Sequence, residues 1–96
     1  MKVLNERQST HGDFSCVASV AQELKKTIAE FAPAEMLPQH REALDLICTK
    51  VARIVCGDPC EEDHWVDIAG YAELGRRAIF DLEEAITEEI VRKDLK

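Results

Sequence analysis

Apolar residues recur at intervals of three and four along most of the chain, with few breaks between the runs. Gly12-Asp13, the stretch from Pro33 to Pro38, and Gly57-Asp58-Pro59 punctuate the pattern and leave three helical stretches. The first is expected from about Asp13 to Phe31. Phe14, Val17, Ala18, Ala21, Leu24, Ile28 and Phe31 make its apolar face, with Glu23, Lys26 and Glu30 opposite. Asp13 offers an N-cap and Ala32-Pro33 a stop. The second is expected from about Gln39 to Cys56, with Ala43, Leu44, Ile47, Val51 and Ile54 or Val55 as its stripe. Pro38 suits the first turn and Gly57 the end. The third is expected to begin near Asp58, because Asp58-Pro59-Cys60-Glu61 sets a capping residue, a Pro and an acid at helix-start spacing. Trp65, Ile68, Ala72, Ile79, Leu82, Ile86 and Ile90 carry it toward the C-terminus. Gly70 and Gly75 allow close packing, or Gly75 marks a bend, and the charged turns past Ile86 fray or pack on a partner subunit.

No stretch alternates as a strand does. The fold class expected is all-α: a small bundle of three to four helices completed by oligomerisation, with residues 1–12 as an N-terminal arm and 13–96 as one domain. At 96 residues the chain holds a modest core, so self-association is an expected source of stability. Only 5% of residues are aromatic, so the core must be aliphatic.

Charge narrows the function classes. A net charge of −7 argues against a general nucleic-acid coat, which needs a basic face. It leaves room for a small anionic ligand, since a few clustered cations or a divalent metal dominate locally. No apolar run reaches the roughly 18–20 residues of a membrane span, and the N-terminus has no apolar signal core. A cytoplasmic location is therefore expected, with Cys16, Cys48, Cys56 and Cys60 as reduced thiols. Cys56, Cys60 and His64 form a C-x3-C-x3-H string. It reads either as part of a zinc site or as two cysteines around a turn, with Cys16 and Cys48 as small core residues.

The chemistry concentrates in EEDHWVDIAGYAEL, from Glu61 to Leu74. Asp63 and Asp67 lie one turn apart on one helix face, and Tyr71 extends the row. Like charges at that spacing repel, and a divalent cation reverses the penalty; Mg²⁺ commonly takes one or two carboxylates plus phosphate oxygens. Glu42 and Asp45 can add carboxylates from the second helix. Lys50 and Arg53 can hold phosphate, and Trp65 or Tyr71 can stack on a base. Arg7 and His11 stand just ahead of a helix N-terminus, where free amides and the helix dipole favour an anion. The same residues also read as ordinary caps, solvated acids and a core Trp. His40 and His64 read as surface helix residues.

R-x3-H-G-D-F near the start, K-x2-R-I late in the second helix and D-x-W-x-D-I-A-G-Y-A opening the third together resemble a known group. It comprises small phage and prophage proteins related to the MazG-like all-α nucleoside triphosphate pyrophosphohydrolases, and the resemblance spans about residues 7–75. It implies an oligomeric helical bundle that holds Mg²⁺ and a nucleotide, and hydrolysis to monophosphate and pyrophosphate by metal-activated water. Asp67 matches the final Asp of the later family motif, and Asp63 sits one residue earlier than the usual Glu. The earlier carboxylate motif has no clean match among Glu23, Glu30 and Glu42-x-x-Asp45, and His11 stands where relatives often show Tyr.

Function is thus expected in one of three forms. The first is a phage-type protein that binds or sequesters a phosphorylated nucleotide, such as a cyclic or NAD-derived defence signal. Arg7, His11, Lys50, Arg53, Trp65 and Tyr71 would make its ligand contacts. The second is a Mg²⁺-dependent pyrophosphohydrolase with Asp63 and Asp67 catalytic and Asp63, Asp67, Glu42 and Asp45 on the metal. The third is a helical interaction module. The expected partners are a small-molecule nucleotide and further copies of the chain, without membrane or general nucleic-acid binding.

Overall fold

A computed structural model describes residues 12–94. Its elements are α1 (Phe14–Phe31), α2 (Pro38–Cys56) and α3 (Glu62–Asp94), and among the described residues there is no strand. The all-α expectation stands.

Each boundary has a local cause. Asp13 is the N-cap of α1: its backbone oxygen accepts the first helical bond, from Val17 N at 2.9 Å, and its side chain makes no cap bond. Ala32 N closes α1 by donating to Ile28 O, and Pro33 stops it. Pro38 occupies the first turn of α2, where a missing N–H costs nothing. The start of α3 differs from expectation. Asp58 Oδ1 accepts from Cys60 N at 2.9 Å and Asp58 O accepts from Glu61 N at 3.1 Å, so Asp58-Pro59-Cys60-Glu61 folds as a turn. The helix begins after it, at Glu62.

The three helices lie in an open layer with α2 in the middle. α1 packs on α2 and α2 packs on α3, while α1 and α3 barely meet. The α1–α2 seam is Val17, Ala21 and Ala52, with Val20 and Cys56 against them. The α2–α3 seam brings Ala43 and His40 beside Gly75. Here His40 Nε2 bonds to Gly75 O at 2.8 Å, so this imidazole ties two helices together and is not a surface residue. Because α2 faces neighbours on two sides, Cys48 and Ala52 are buried although they lie off its single expected stripe. The ends of the α1 stripe fail in the other direction: Phe14 and Phe31 are 81% and 82% exposed.

Among the described residues seven apolar side chains are buried, and four of them are Ala. Helices joined by Ala and Gly approach closely but remove little area from water, so each seam stabilises modestly.

Gly12 anchors the start of α1. Its φ is +87°, and a Cβ there would lie 2.7 Å from Cys56 Cβ and 2.8 Å from the Cys56 backbone. The same approach puts Cys16 and Cys56 in a disulfide with Cα atoms 6.0 Å apart. This corrects the reduced-thiol expectation for these two residues and the core placement of Cys16, which is exposed. Nothing in the sequence shows that the start of α1 reaches the end of α2. Cys48 is buried and free, and Cys60 is exposed and free. Burial, and then Asp45, push the Cys48 thiol up.

α3 runs unbroken through Gly70 and Gly75 for 33 residues, about 50 Å at ~1.5 Å per residue. Neither glycine interrupts it, and its last turns remain helical to Asp94. No helix among the described residues is long and apolar enough to cross a membrane.

Candidate functional site

α2 and α3 run antiparallel, which sets the late part of α2 beside the early part of α3. Lys50 and Asp67 meet there. Lys50 Nζ donates to Asp67 Oδ2 at 2.7 Å, with the lysine side chain 12% exposed and the carboxylate 43% exposed. The pair is sheltered on its cationic side and open on its anionic side. The hydrogen bond from Lys50 holds the Asp67 carboxyl below its ordinary range, helped by the fields of Lys50, His64 and Arg53, while partial desolvation opposes them.

Arg53 stands one turn beyond Lys50 in the last turn of α2, where the helix C-terminus favours a cation. Lys50 commits one of its three ammonium donors to Asp67 and keeps two, and Arg53 adds a planar fork. Two cations around one acid suit an anion with several oxygens.

His64 is the residue that the sequence reading misplaced most. It is fully buried, against the expectation of a surface histidine. The signal was present: His64, Ile68, Tyr71, Gly75 and Ala78 recur at helical spacing and form the face of α3 turned to α2, so His64 belongs to that row. Cys56 is held in the disulfide, so the C-x3-C-x3-H string does not supply two thiolates to zinc.

The remaining candidates scatter. Trp65 Nε1 donates to Pro59 O at 2.8 Å, which pins the α2–α3 turn and leaves the ring 54% exposed. Tyr71 is half-buried one turn past Asp67. Asp63 is exposed in the first turn of α3, where its charge suits the helix dipole. Glu42 is exposed, and Asp45 accepts from Arg41 Nε at 3.4 Å along its own helix. The expected metal quartet of Asp63, Asp67, Glu42 and Asp45 is therefore not gathered. Among the described residues no three His, Cys, Asp or Glu side chains converge as metal ligands. Arg7 and His11 lie outside the described residues.

A recess lined by Ala85, Glu88, Glu89, Arg92 and Lys93 lies at the far end of α3, away from Lys50 and Asp67. No curated protein and no solved structure matches the chain. Residues 1–79 do match a family, and that segment carries every candidate site residue named above. The chain belongs to DUF6378, a domain family of unknown function.

Proposed function

We propose that the chain is a nucleotide-binding protein of MazG-like, phage-type ancestry. In this reading it holds a phosphorylated nucleotide at the late α2–early α3 junction, inside the cytoplasm of a bacterial host and as a homo-oligomer. The observation that carries this reading is the sheltered Lys50–Asp67 pair with Arg53 one turn away. Lys50 and Arg53 donate to phosphate oxygens, Asp67 orients Lys50, and the exposed Trp65 or the half-buried Tyr71 meets the base.

Binding is favoured over pyrophosphohydrolysis because hydrolysis by metal-activated water needs converging carboxylates, and Asp45 and Asp63 are directed elsewhere. Thermal shifts with linear and cyclic nucleotides, with and without Mg²⁺, test the proposal alongside an assay for pyrophosphate. A ligand that raises Tm and is recovered intact supports it. Pyrophosphate release abolished by Asp67→Asn would replace it with the enzyme, and no shift with any nucleotide would leave a helical interaction module.

A further inference from the structure

The family match ends at residue 79, where a different surface begins. Ile79, Leu82, Ile86 and Ile90 form one stripe on α3 and are 44%, 42%, 49% and 55% exposed. The stripe continues the face that Gly75 and Ala78 turn toward α2. At Gly75 that face meets Ala43 and His40, near the start of α2, and past Ala78 α2 has ended and the face stands open.

The chain is extended well beyond what its size requires. Its radius of gyration is 18.1 Å, against about 12.5 Å for a compact domain of this length. It exposes 7237 Å², against about 5,500 Å² for a folded monomer of its mass. The excess is roughly 1,700 Å² per chain, and a stable interface needs only about 800 Å² from each partner. Thirteen large apolar residues are exposed among those described, and the stripe is their longest ordered row.

We infer that the C-terminal stripe of α3 is a homodimer seam, and that the occupant is the same segment of a second copy running antiparallel. The occupant must be antiparallel because α2 lies on the side of α3 that the stripe faces. A parallel partner would need the space that α2 fills, whereas an antiparallel one leaves its own α1 and α2 beyond the end of α3. Centring the overlap on the stripe sets Ile79 near the partner copy's residue 90 and Leu82 near its residue 86, in a self-complementary, two-fold arrangement. The inference rests on the self-association part of the proposed function and is independent of the ligand.

Light scattering across a dilution series tests it on the full chain. Wild type is expected at twice its 10.8 kDa mass, and the double variant Leu82→Glu, Ile86→Glu is expected to dissociate with a Kd weakened more than about a hundredfold. Its helicity is expected to persist, because no described residue past Ala78 is buried. Orientation is read in a Cys60→Ser background by mixing Leu82→Cys chains with Ile86→Cys chains under oxidant. Crosslinks between unlike chains support the antiparallel seam, and crosslinks confined to like chains overturn it. A wild type that stays monomeric overturns self-association altogether. A double variant that remains a dimer overturns this seam while leaving self-association intact.

Discussion

Three glycines give one experiment with three different expected outcomes. At Gly12 the φ of +87° disfavours any L side chain, and an added Cβ would sit 2.7–2.8 Å from Cys56 Cβ and backbone atoms that cannot step aside. Backbone strain of about 1–3 kcal/mol and overpacking of about 1–3 kcal/mol together predict a loss of about 2–6 kcal/mol for Gly12→Ala. That is a large part of the total stability of a small domain. Gly70 has open space where a Cβ would go, in the interior of a helix. Gly70→Ala is therefore expected to gain up to about 1 kcal/mol through the helix preference for Ala. At Gly75 the added Cβ meets Ala43 and His40 at 3.7 and 3.8 Å, ordinary contact distances, so Gly75→Ala is expected between the other two. Urea denaturation at one fixed protein concentration reads all three. If Gly12→Ala unfolds within about 0.5 kcal/mol of wild type, the level of an ordinary surface change, the account of the α1–α2 junction is wrong.

Other expectations follow from the same packing. The Cys16–Cys56 bond closes a separation of 40 residues, so Cys16→Ser is expected to cost about 2–4 kcal/mol under oxidising conditions and nothing under reducing ones. Ala52 is 0% exposed between α1 and α2; Ala52→Leu is expected to cost about 1–3 kcal/mol in the same assay. Glu73 accepts from Arg76 at 2.7 and 2.9 Å and from Arg77, and the Arg76 bond above all lowers its pKa from 4.5 to about 2. Its contribution to stability is complete above the unfolded value and is lost as pH falls from 4.5 through about 2, so a side-chain NMR titration should find its midpoint near 2. A midpoint near 4.5 would show that the pair does not form in solution.

Much of the fold was legible. Pro38, Gly57 and the Ala32-Pro33 break act on the backbone alone, so they marked the ends of α1 and α2 to within a residue. Lys50 and Asp67 stand among the sequence candidates and the antiparallel pairing of α2 and α3 brings them together, but Asp45 was claimed by Arg41 on its own helix. Which partner a charge takes depends on three-dimensional neighbours that spacing does not list. His64 and His40 were misread because histidine has no fixed preference for surface or core; only the row each shares with its buried neighbours places it. The disulfide was invisible because it depends on where two distant helix ends meet.

Isothermal titration tests the central claim most directly, with the nucleotide that gives the largest thermal shift titrated into wild type, Lys50→Met, Arg53→Gln and, as a distant control on α3, Arg92→Gln. Wild type and the Arg92 variant are expected to bind alike, and the Lys50 and Arg53 variants to weaken at least about tenfold each, the loss of one charge-assisted contact. Equal affinity in all four proteins, or no binding by wild type, would contradict a phosphate site at Lys50 and Arg53.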